Sequence, residues 1–184
     1  MPSENLSGVS RKVGTPGNQQ ERLKTIGWIV GYVDGEGCFQ VSIVKNQRTK
    51  FGWQVFPEFV VTQNEKSKES LYLMKDYFKC GDVYINRRKD NRKENLYRYC
   101  VRSICDLNEK IIPFFAANKL KTAKKKDFIY FSKAVKMLVG QKHFKLKGII
   151  AIAKIVQQMN RKLPSKFLES SETIRQTSQG AGKI

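Results

Sequence analysis

Two pairs of alternating, strand-like segments with helical patterns around them constrain the fold of this chain more than any other feature. Hydrophobic and polar residues alternate with the period of half-buried strands at 39–44, 53–62, 83–86 and 97–102. Hydrophobic residues recur with helical spacing at 21–34, 67–78, 106–113, 122–140, 144–159 and 166–169. The order αββαββα, with further helices at the C-terminal end, predicts an α+β fold in which helices cover one face of an antiparallel sheet.

Three local signals predict where individual elements begin or bend. Ser67 offers the hydroxyl of a helix N-cap before the second helix. Asp106 and Glu109 resemble a capping box for a short helix that ends near Pro113. Pro57 lacks the N–H that a sheet ladder needs, so we expect the second strand to be at an edge or bulged there.

The polar side of these strands predicts a surface that binds nucleic acid. It combines amide, hydroxyl, carboxylate and guanidinium groups, which can reach base edges and phosphates. A face that is only solvated would not need so many long donors. The predicted DNA-binding residues, including those of the basic turn between the first two strands, are Gln40, Ser42, Lys45, Arg48, Lys50, Gln54, Glu58, Tyr84, Asn86, Arg88, Arg98 and Arg102.

The net charge supports the same class of partner. The 184 residues include 35 Lys and Arg against 16 Asp and Glu, which gives +19 at pH 7. Such an excess destabilises a compact chain unless a polyanion neutralises it, and nucleic acid is the leading candidate. An anionic membrane surface is the rival, but the chain shows no basic amphipathic helix with an inserting face. No apolar run approaches the about 18 residues of a membrane span, so we expect no membrane partner.

The remaining bulk features predict one domain at 21–169 between flexible polar tails at 1–20 and 170–184. The four cysteines show no C-x-x-C spacing, and the chain has one histidine, so a structural zinc site is not expected. The N-terminal segment lacks the apolar core of a signal peptide. We therefore expect a reducing, intracellular location.

Two glycines interrupt the first helix. Gly27 and Gly31 lie four residues apart on one face, and each costs about 1 kcal/mol relative to alanine in a helix interior. Small residues at these positions allow another backbone to approach closely. The helix could pack in this way on its own sheet or on a second copy of itself, and the spacing leaves both interpretations open.

The same helix ends in Asp34-Gly35-Glu36-Gly37. Negative charge at the C-terminal end of a helix interacts unfavourably with the helix dipole, at a cost of about 0.3–1 kcal/mol per charge. The two acids are also unexpected in a chain of charge +19 whose partner is a polyanion. A divalent cation explains both facts, because carboxylate and carbonyl oxygens suit Mg²⁺ and a substrate phosphate completes its shell. Such an ion can activate water for phosphodiester hydrolysis. The alternative is that both acids only form the turn into the first strand.

Residues 29–37 resemble the motif of the LAGLIDADG homing endonucleases. Gly31, Asp34 and Gly37 are identical to the motif, and Glu36 takes the position of its catalytic acid. The similarity continues through both strand pairs and their helices, over most of the chain. The chain is most similar to the single-motif, dimeric members that are encoded in ribosomal-RNA introns.

This resemblance implies roles for individual residues. Glu36 would be the metal-binding, catalytic carboxylate, helped by the backbone carbonyl of Gly35. Gln63 matches a pocket residue that positions water near the metal. Lys121 matches a basic pocket residue near the scissile phosphate. Asp34 matches the first acid of the motif, for which we expect a mainly structural role.

At one position the sequence departs from the family pattern. Related pockets often have a basic residue at the start of the second helix, where this chain has Ser67. Lys66 and Lys68 lie on either side of Ser67. The sequence does not decide which of these lysines, if either, serves the pocket.

A single copy of the motif implies a homodimer with twofold symmetry, because cutting two strands takes two active sites. Two sheets would then form one long, saddle-shaped surface over the major groove of a near-palindromic duplex. The predicted dimer contact lies on the first helix and consists of Gly27, Val30, Gly31 and Asp34.

The resemblance thus implies a site-specific double-strand DNA endonuclease for intron homing. Its cofactor would be Mg²⁺, or another divalent cation such as Mn²⁺ or Ca²⁺ bound in its place. Two other functions on the same fold stay open: an RNA-binding intron maturase, and a non-catalytic DNA-binding regulator that tolerates the loss of Glu36. The sequence leaves the compartment undecided between bacterial cytoplasm and an organelle.

Overall fold

The computed structural model describes residues 16–87, 95–159 and 166–169. Its elements are α1 (Pro16–Glu36), β1 (Gly37–Lys45), β2 (Trp53–Asn64), α2 (Glu69–Phe78), β3 (Asp82–Asn86), β4 (Leu96–Val101), α3 (Ile104–Asp106), α4 (Ile112–Ala117), α5 (Lys124–Val139), α6 (Leu146–Val156) and α7 (Lys166–Glu169). A π-helical segment, Leu107–Ile111, joins α3 to α4. Short 3₁₀ segments at Glu65–Ser67 and Lys142–Phe144 precede α2 and α6. The predicted α+β order is confirmed.

The four strands form one antiparallel sheet in the order β1-β2-β4-β3. β1 pairs with β2 in the first hairpin, and β3 pairs with β4 in the second. β2 also pairs with β4, which joins the two hairpins. The register places Gly37 opposite Val61 and Phe59 opposite Val101. A shift by one residue would move every side chain to the other face, so this register decides which residues lie together.

Helices cover one face of the sheet and bury its apolar residues. The rings of Phe39 and Phe59 stack with their centroids 5.1 Å apart. Phe115 of α4 and Phe131 of α5 both pack against Phe39 at 5.4 Å between centroids. All four rings are buried. Burial of each phenylalanine contributes about 1.5–3 kcal/mol, so this aromatic cluster holds α4 and α5 against β1 and β2.

Helix α1 is longer at both ends than predicted. It begins at Pro16, where proline costs little because N–H groups of a first turn have no partner within the helix, so 16–20 of the expected tail are helical. The rest of both expected tails lies outside the described residues. The helix ends at Glu36, and β1 starts at the next residue, Gly37. A side chain at Gly37 would collide with Val33, which explains the glycine.

Two predicted helix caps are wrong. The side chain of Asn64 accepts the N–H of Ser67 at 3.1 Å and so caps the 3₁₀ segment before α2, whereas the N-cap position of α2 itself is Lys68, which makes no side-chain cap bond. Likewise, the hydroxyl of Ser103 accepts the N–H of Asp106 at 3.2 Å, in place of the expected pair of Asp106 and Glu109. Both helical regions therefore begin about one turn earlier than predicted.

The two prolines that were singled out behave differently. Pro57 lies in β2 opposite Val41, and the pairing of β2 with β4 begins only at Phe59. Among the described strands, β2 therefore has a partner on one side only at Pro57, which confirms the predicted edge. The prediction that a helix ends near Pro113 is wrong. Pro113 lies in the first turn of α4, where its missing N–H costs little, and α4 continues to Ala117.

The apolar helix α6 packs on α5. It has 11 residues and buries Ile149, Ile152 and Ala153. This packing completes a layer of helices behind the sheet. Throughout the part of the chain that the structure describes, no helix combines the length and the apolar character that crossing a membrane requires.

Candidate active site and nucleic-acid interface

The C-terminal end of α1 opens onto a cleft of about 590 Å³. Glu36, the last residue of α1, and Gln63, near the end of β2, both line this cleft, and Glu36 is exposed. The two meet because β1 follows α1 directly and its first residue pairs with Val61 of β2. Two of the three predicted catalytic residues therefore share one cleft.

Hydroxyl groups form the wall of this cleft where the sequence departs from the family pattern. Ser67 and Ser70 both line the cleft. The Ser70 hydroxyl lies 2.5 Å from the hydroxyl of Tyr32, and burial raises the pKa of Tyr32. Lys68 instead places its Nζ 5.5 Å from the centroid of the Tyr97 ring. The structure therefore gives Lys68 an aromatic contact rather than a place in the cleft wall.

Asp34 links the end of α1 to the segment before α5. Its carboxylate accepts the backbone N–H of Lys121 at 2.6 Å, and it accepts the N–H and the hydroxyl of Thr122 at 3.2 and 2.7 Å. Burial acts to raise the pKa of Asp34, but these donors outweigh it and hold the pKa below its ordinary value. The carboxylate works within its own chain, which fits a structural role and gives no support to a side-chain contact across a dimer.

Lys121 lies near the motif through its backbone. Its N–H binds Asp34, whereas its side chain is exposed. Among the described residues, Lys121 is not one of those that line the cleft with Glu36. Its proximity to a scissile phosphate stays a prediction.

Lys124, the first residue of α5, is a site residue that sequence reasoning missed. Its Nζ donates to the backbone carbonyls of Asp34 and Gly35, at 2.9 and 2.6 Å. A cation at the C-terminal end of a helix offsets the dipole and, here, the acids as well. The run of lysines at 119–126 carried the signal, but only the fold shows which lysine reaches α1.

The donor set at the end of α1 suits a divalent cation that keeps ligands from outside the chain. The carbonyl of Gly35 already binds the ammonium group of Lys124, so this end of the helix attracts positive charge. Glu36 adds an exposed carboxylate, and Gln63 adds an amide oxygen. Within the described ranges, no group of three or more His, Cys, Asp or Glu side chains could hold a metal ion. A Mg²⁺ ion here would therefore keep water or phosphate oxygens in its shell.

The glycine face of α1 points away from the rest of the chain. Among the residues that the structure describes, a Cβ added at Gly27 or Gly31 would meet no atom within 4 Å, and both glycines are exposed. Val30, beside them, is half-buried. The side of α1 that packs on the sheet carries Ile29 and Val33, which are fully buried. Of the two interpretations of the glycines, packing on the chain's own sheet is therefore wrong.

The predicted DNA-binding residues of the strands share the open face of the sheet. Gln40 lies opposite Glu58, and Arg98 lies opposite Tyr84, so one face is defined across all four strands. The predicted residue Arg88 lies outside the described residues. The residues that the strand registers assign to this open face are Gln40, Ser42, Gln54, Glu58, Tyr84, Asn86, Arg98 and, just after β4, Arg102.

The turn between β1 and β2 adds cations at the edge of this face. Lys45, Arg48 and Lys50 are exposed in or beside the turn, as predicted. Val44 and Phe56 are also exposed on the open face, although the sequence predicted only polar and charged residues and Tyr84 as DNA contacts there. Exposed apolar groups in a major groove can contact thymine methyl groups. The face therefore offers apolar contacts as well as donors.

Glu58 differs from the other predicted contacts, because only 8% of it is exposed. Its carboxylate accepts hydrogen bonds from Gln40 Nε2, from Arg98 Nη2 at 3.3 Å and from Arg102 Nε at 2.5 Å. These partners occupy the acceptor positions of the carboxylate. The structure therefore argues against a direct contact of Glu58 with DNA. Alternation along β2 predicted the face of Glu58, but not the donors that converge on it from neighbouring strands.

Comparison with known proteins points to one family. Residues 29–135 match the family described as LAGLIDADG endonuclease. The chain is 34% identical over 147 residues to the probable intron-encoded endonuclease 2 of Neurospora crassa, a match that covers 80% of this chain and 32% of that protein. The chain spans about a third or less of the length of the first curated relatives that it matches.

Solved structures of related proteins share the fold. The homing endonuclease I-TnaI superposes with a TM-score of 0.67 at 32% identity, over 84% of this chain and 96% of that chain. I-SmaMI bound to an uncleaved DNA target in the presence of calcium ions superposes with a TM-score of 0.68 at 28% identity, over 82% of this chain and 48% of that chain. The family match spans the motif and both strand pairs. The chain belongs to the LAGLIDADG endonuclease family.

Proposed function

We propose that this protein is a site-specific double-strand DNA endonuclease that acts in intron homing. The observation that carries the proposal is the cleft shared by Glu36 and Gln63, which opens where α1 meets the sheet. A hydrolytic site next to a polar and basic sheet face suits the cutting of a bound duplex. The Neurospora crassa relative is described as intron-encoded, which supports an intracellular setting, bacterial or organellar.

Glu36 and the carbonyl of Gly35 would hold a divalent cation, either Mg²⁺ or Mn²⁺ or Ca²⁺ in its place. The ammonium contact at Gly35 supports this choice, and so does the calcium in the DNA-bound I-SmaMI structure. When bound, such an ion supplies an activated water and stabilises charge during phosphodiester hydrolysis. Gln63 would orient water in the cleft through its amide. Lys121 would neutralise charge on the phosphate.

Two chains would form the cutting unit, a twofold homodimer. The exposed face around Gly27 and Gly31 would bring two α1 helices close together, with Val30 at the contact. Leu23 and Trp28 of the same helix are 62% and 38% exposed, which gives the contact apolar area. The target would be a long, near-palindromic duplex.

A plasmid library with a randomised insert tests this proposal. The wild-type protein with Mg²⁺ should linearise a subset of plasmids that share one near-palindromic sequence, and EDTA should stop the reaction. Glu36→Gln should bind the selected duplex but no longer cut it, because the amide cannot supply the charge that holds the ion. Asp76→Asn, an exposed acid on α2, is the control and should cut like the wild-type protein. Undiminished cutting by Glu36→Gln would overturn the metal assignment.

The same experiment separates the two other functions of this fold. A maturase would bind intron RNA and select no duplex from the library. A regulator would select a duplex without cutting it, and would do so equally well with Glu36→Gln. The exposed Glu36 beside Gln63 in an open cleft favours the nuclease, because neither alternative needs this pair.

A further inference from the structure

We propose that Glu58 is a positioning residue for base recognition, which presets the side chains of Gln40, Arg98 and Arg102 on the open face of the sheet. The inference rests on the proposed function, since it requires that this face bind duplex DNA. Glu58 itself contacts no base. It holds the three donors in one arrangement before DNA binds.

The carboxylate of Glu58 connects side chains from all four strands. Gln40 lies directly opposite it in the β1–β2 register and donates through Nε2 to Oε2. Arg98 of β4 donates through Nη2 to the same oxygen at 3.3 Å, and Arg102 donates through Nε to Oε1 at 2.5 Å. The guanidinium carbon of Arg102 lies 5.5 Å from the ring centroid of Tyr84 on β3. Each side chain of this cluster is therefore held by its neighbours.

An acid at this position is unfavourable for a DNA-binding surface unless it has such a role. Burial of a carboxylate costs free energy unless donors compensate for it, and Glu58 has three donors. Its negative charge also lies in a face whose partner is a polyanion. The two arginines outnumber it, so the cluster keeps a positive charge while its donors are fixed. Positioning explains why the face tolerates this acid.

The fixed donors match base edges in the major groove. An arginine can donate two hydrogen bonds to O6 and N7 of guanine. Arg102 uses Nε for Glu58, which leaves its two Nη groups to donate, and its side chain is 56% exposed. A side chain that is ordered before binding loses less entropy when the complex forms. We therefore expect Arg102 to recognise guanine, with Glu58 fixing the plane of its guanidinium group.

Two duplex probes test the role of Glu58: the sequence that the wild-type protein selects, and a shuffled duplex of the same composition. Glu58→Gln keeps the shape of the side chain and removes its charge. It should lose discrimination by about tenfold at the base pair recognised by Arg102. Its affinity for the shuffled duplex should rise by about two- to fivefold, because one negative charge has left the face. A general structural defect would weaken binding to both duplexes.

Arg102→Lys is the second variant, and its result can be interpreted even if Glu58→Gln does not fold. Lysine keeps the positive charge but lacks the planar fork, so discrimination should fall at the same base pair by a similar factor. Affinity for the shuffled duplex should stay unchanged. The double variant should lose little more than either single variant, because the two residues act as one unit. Asp76→Asn removes one acid from an exposed helix position and should leave the affinity for both duplexes unchanged.

Two results would overturn the inference and leave the proposed function intact. In the first, Glu58→Gln keeps the wild-type preference at every base pair. In the second, the losses of the two single variants add up in the double variant. If the wild-type protein selects no duplex at all, the proposed function fails and this inference fails with it. If Glu58→Gln does not fold by circular dichroism, Arg102→Lys decides, because an unchanged preference there would exclude guanine recognition by Arg102.

Discussion

At the scale of single residues, the end of α1 and the start of α5 supply hydrogen-bond partners to each other. The carboxylate of Asp34 accepts N–H groups from the segment before α5, and the ammonium of Lys124 binds the last carbonyls of α1. Helix ends leave backbone donors and acceptors without partners, and these contacts supply them. Because Glu36 lies in the same turn, this pair of contacts also fixes the backbone that carries the proposed catalytic acid.

Asp34→Ala should lower the free energy of unfolding by about 1–2 kcal/mol at neutral pH, since it removes a carboxylate with several donors. The folded state holds the pKa of Asp34 below its ordinary value of 3.8. Its contribution is therefore complete above pH 3.8 and is lost as the pH falls further, through the folded-state pKa. Urea unfolding over a pH series measures the difference between the two proteins. Asp76→Ala, at an exposed position, should show little difference at any pH, and a pH-independent loss for Asp34→Ala would contradict the assignment.

Lys124→Met should improve binding of Tb³⁺ in the absence of DNA, because the ammonium group no longer occupies the carbonyl of Gly35. One unit charge at about 4 Å in water corresponds to about fivefold in affinity. Trp28 and Tyr32 line the cleft, so sensitised terbium luminescence reports occupancy without any cleavage assay. Lys125→Met removes the same charge from an exposed neighbour and should have a smaller effect. Equal effects of both variants would mean that only net charge matters.

At the scale of elements, strands were predicted better than the ends of helices. Alternation has a period of two, so a few residues suffice to locate each strand and its buried side. Helix caps depend on one polar side chain outside the apolar pattern, and for this reason the caps Asn64 and Ser103 were missed. In α1, apolar residues occur on both sides, and the sequence could not show that Ile29 and Val33 face the core while Gly27 does not.

In the site, too, residues could be predicted from the sequence, whereas contacts between residues far apart in the chain could not. Glu36 was predicted from the motif at the end of the first helix, and Gln63 from the family resemblance. The fold brings both to one cleft. The contact of Lys124 with Gly35 joins residues 89 positions apart, and that of Arg98 with Glu58 joins residues 40 positions apart. Such contacts depend on the register of the sheet and on helix packing, which side-chain type alone does not determine.

Gly31→Leu should dissociate the proposed dimer while it stabilises the monomer. A Cβ at this position would meet no atom of the described residues within 4 Å, and leucine favours a helix over glycine by roughly 0.5–1 kcal/mol. Between two α1 helices, however, the added side chain would hold the backbones apart. Sedimentation velocity gives the oligomeric state, and thermal unfolding gives the stability. Lys136→Leu adds the same side chain to an exposed position of α5 and should leave the dimer intact. A Gly31→Leu protein that stays dimeric would exclude this contact.

At the scale of the whole molecule, positive charge is not confined to the face that is proposed to bind DNA. Within 124–159 the only acid, Asp127, is buried, and the exposed lysines of this helical layer are Lys125, Lys126, Lys133, Lys136, Lys142, Lys145, Lys147 and Lys154. The field of the molecule therefore attracts a polyanion from many directions. The chemistry of the open sheet face, rather than charge alone, must then decide how a duplex is oriented.

This division of roles predicts how salt should act on binding. Affinity for the selected duplex should fall by about 10³- to 10⁵-fold between about 50 and 200 mM salt if some 6–10 phosphates are contacted. The shuffled duplex should show nearly the same slope, because phosphates carry no sequence information. Arg102→Lys should keep this slope and change only the ratio of the two affinities, since lysine preserves the charge. Fluorescence anisotropy titrations measure both quantities, and thermal unfolding over the same range controls for the fold. A flat salt response would contradict a phosphate-dominated interface, whereas a steep slope with an unchanged ratio in Arg102→Lys would place recognition elsewhere on the face.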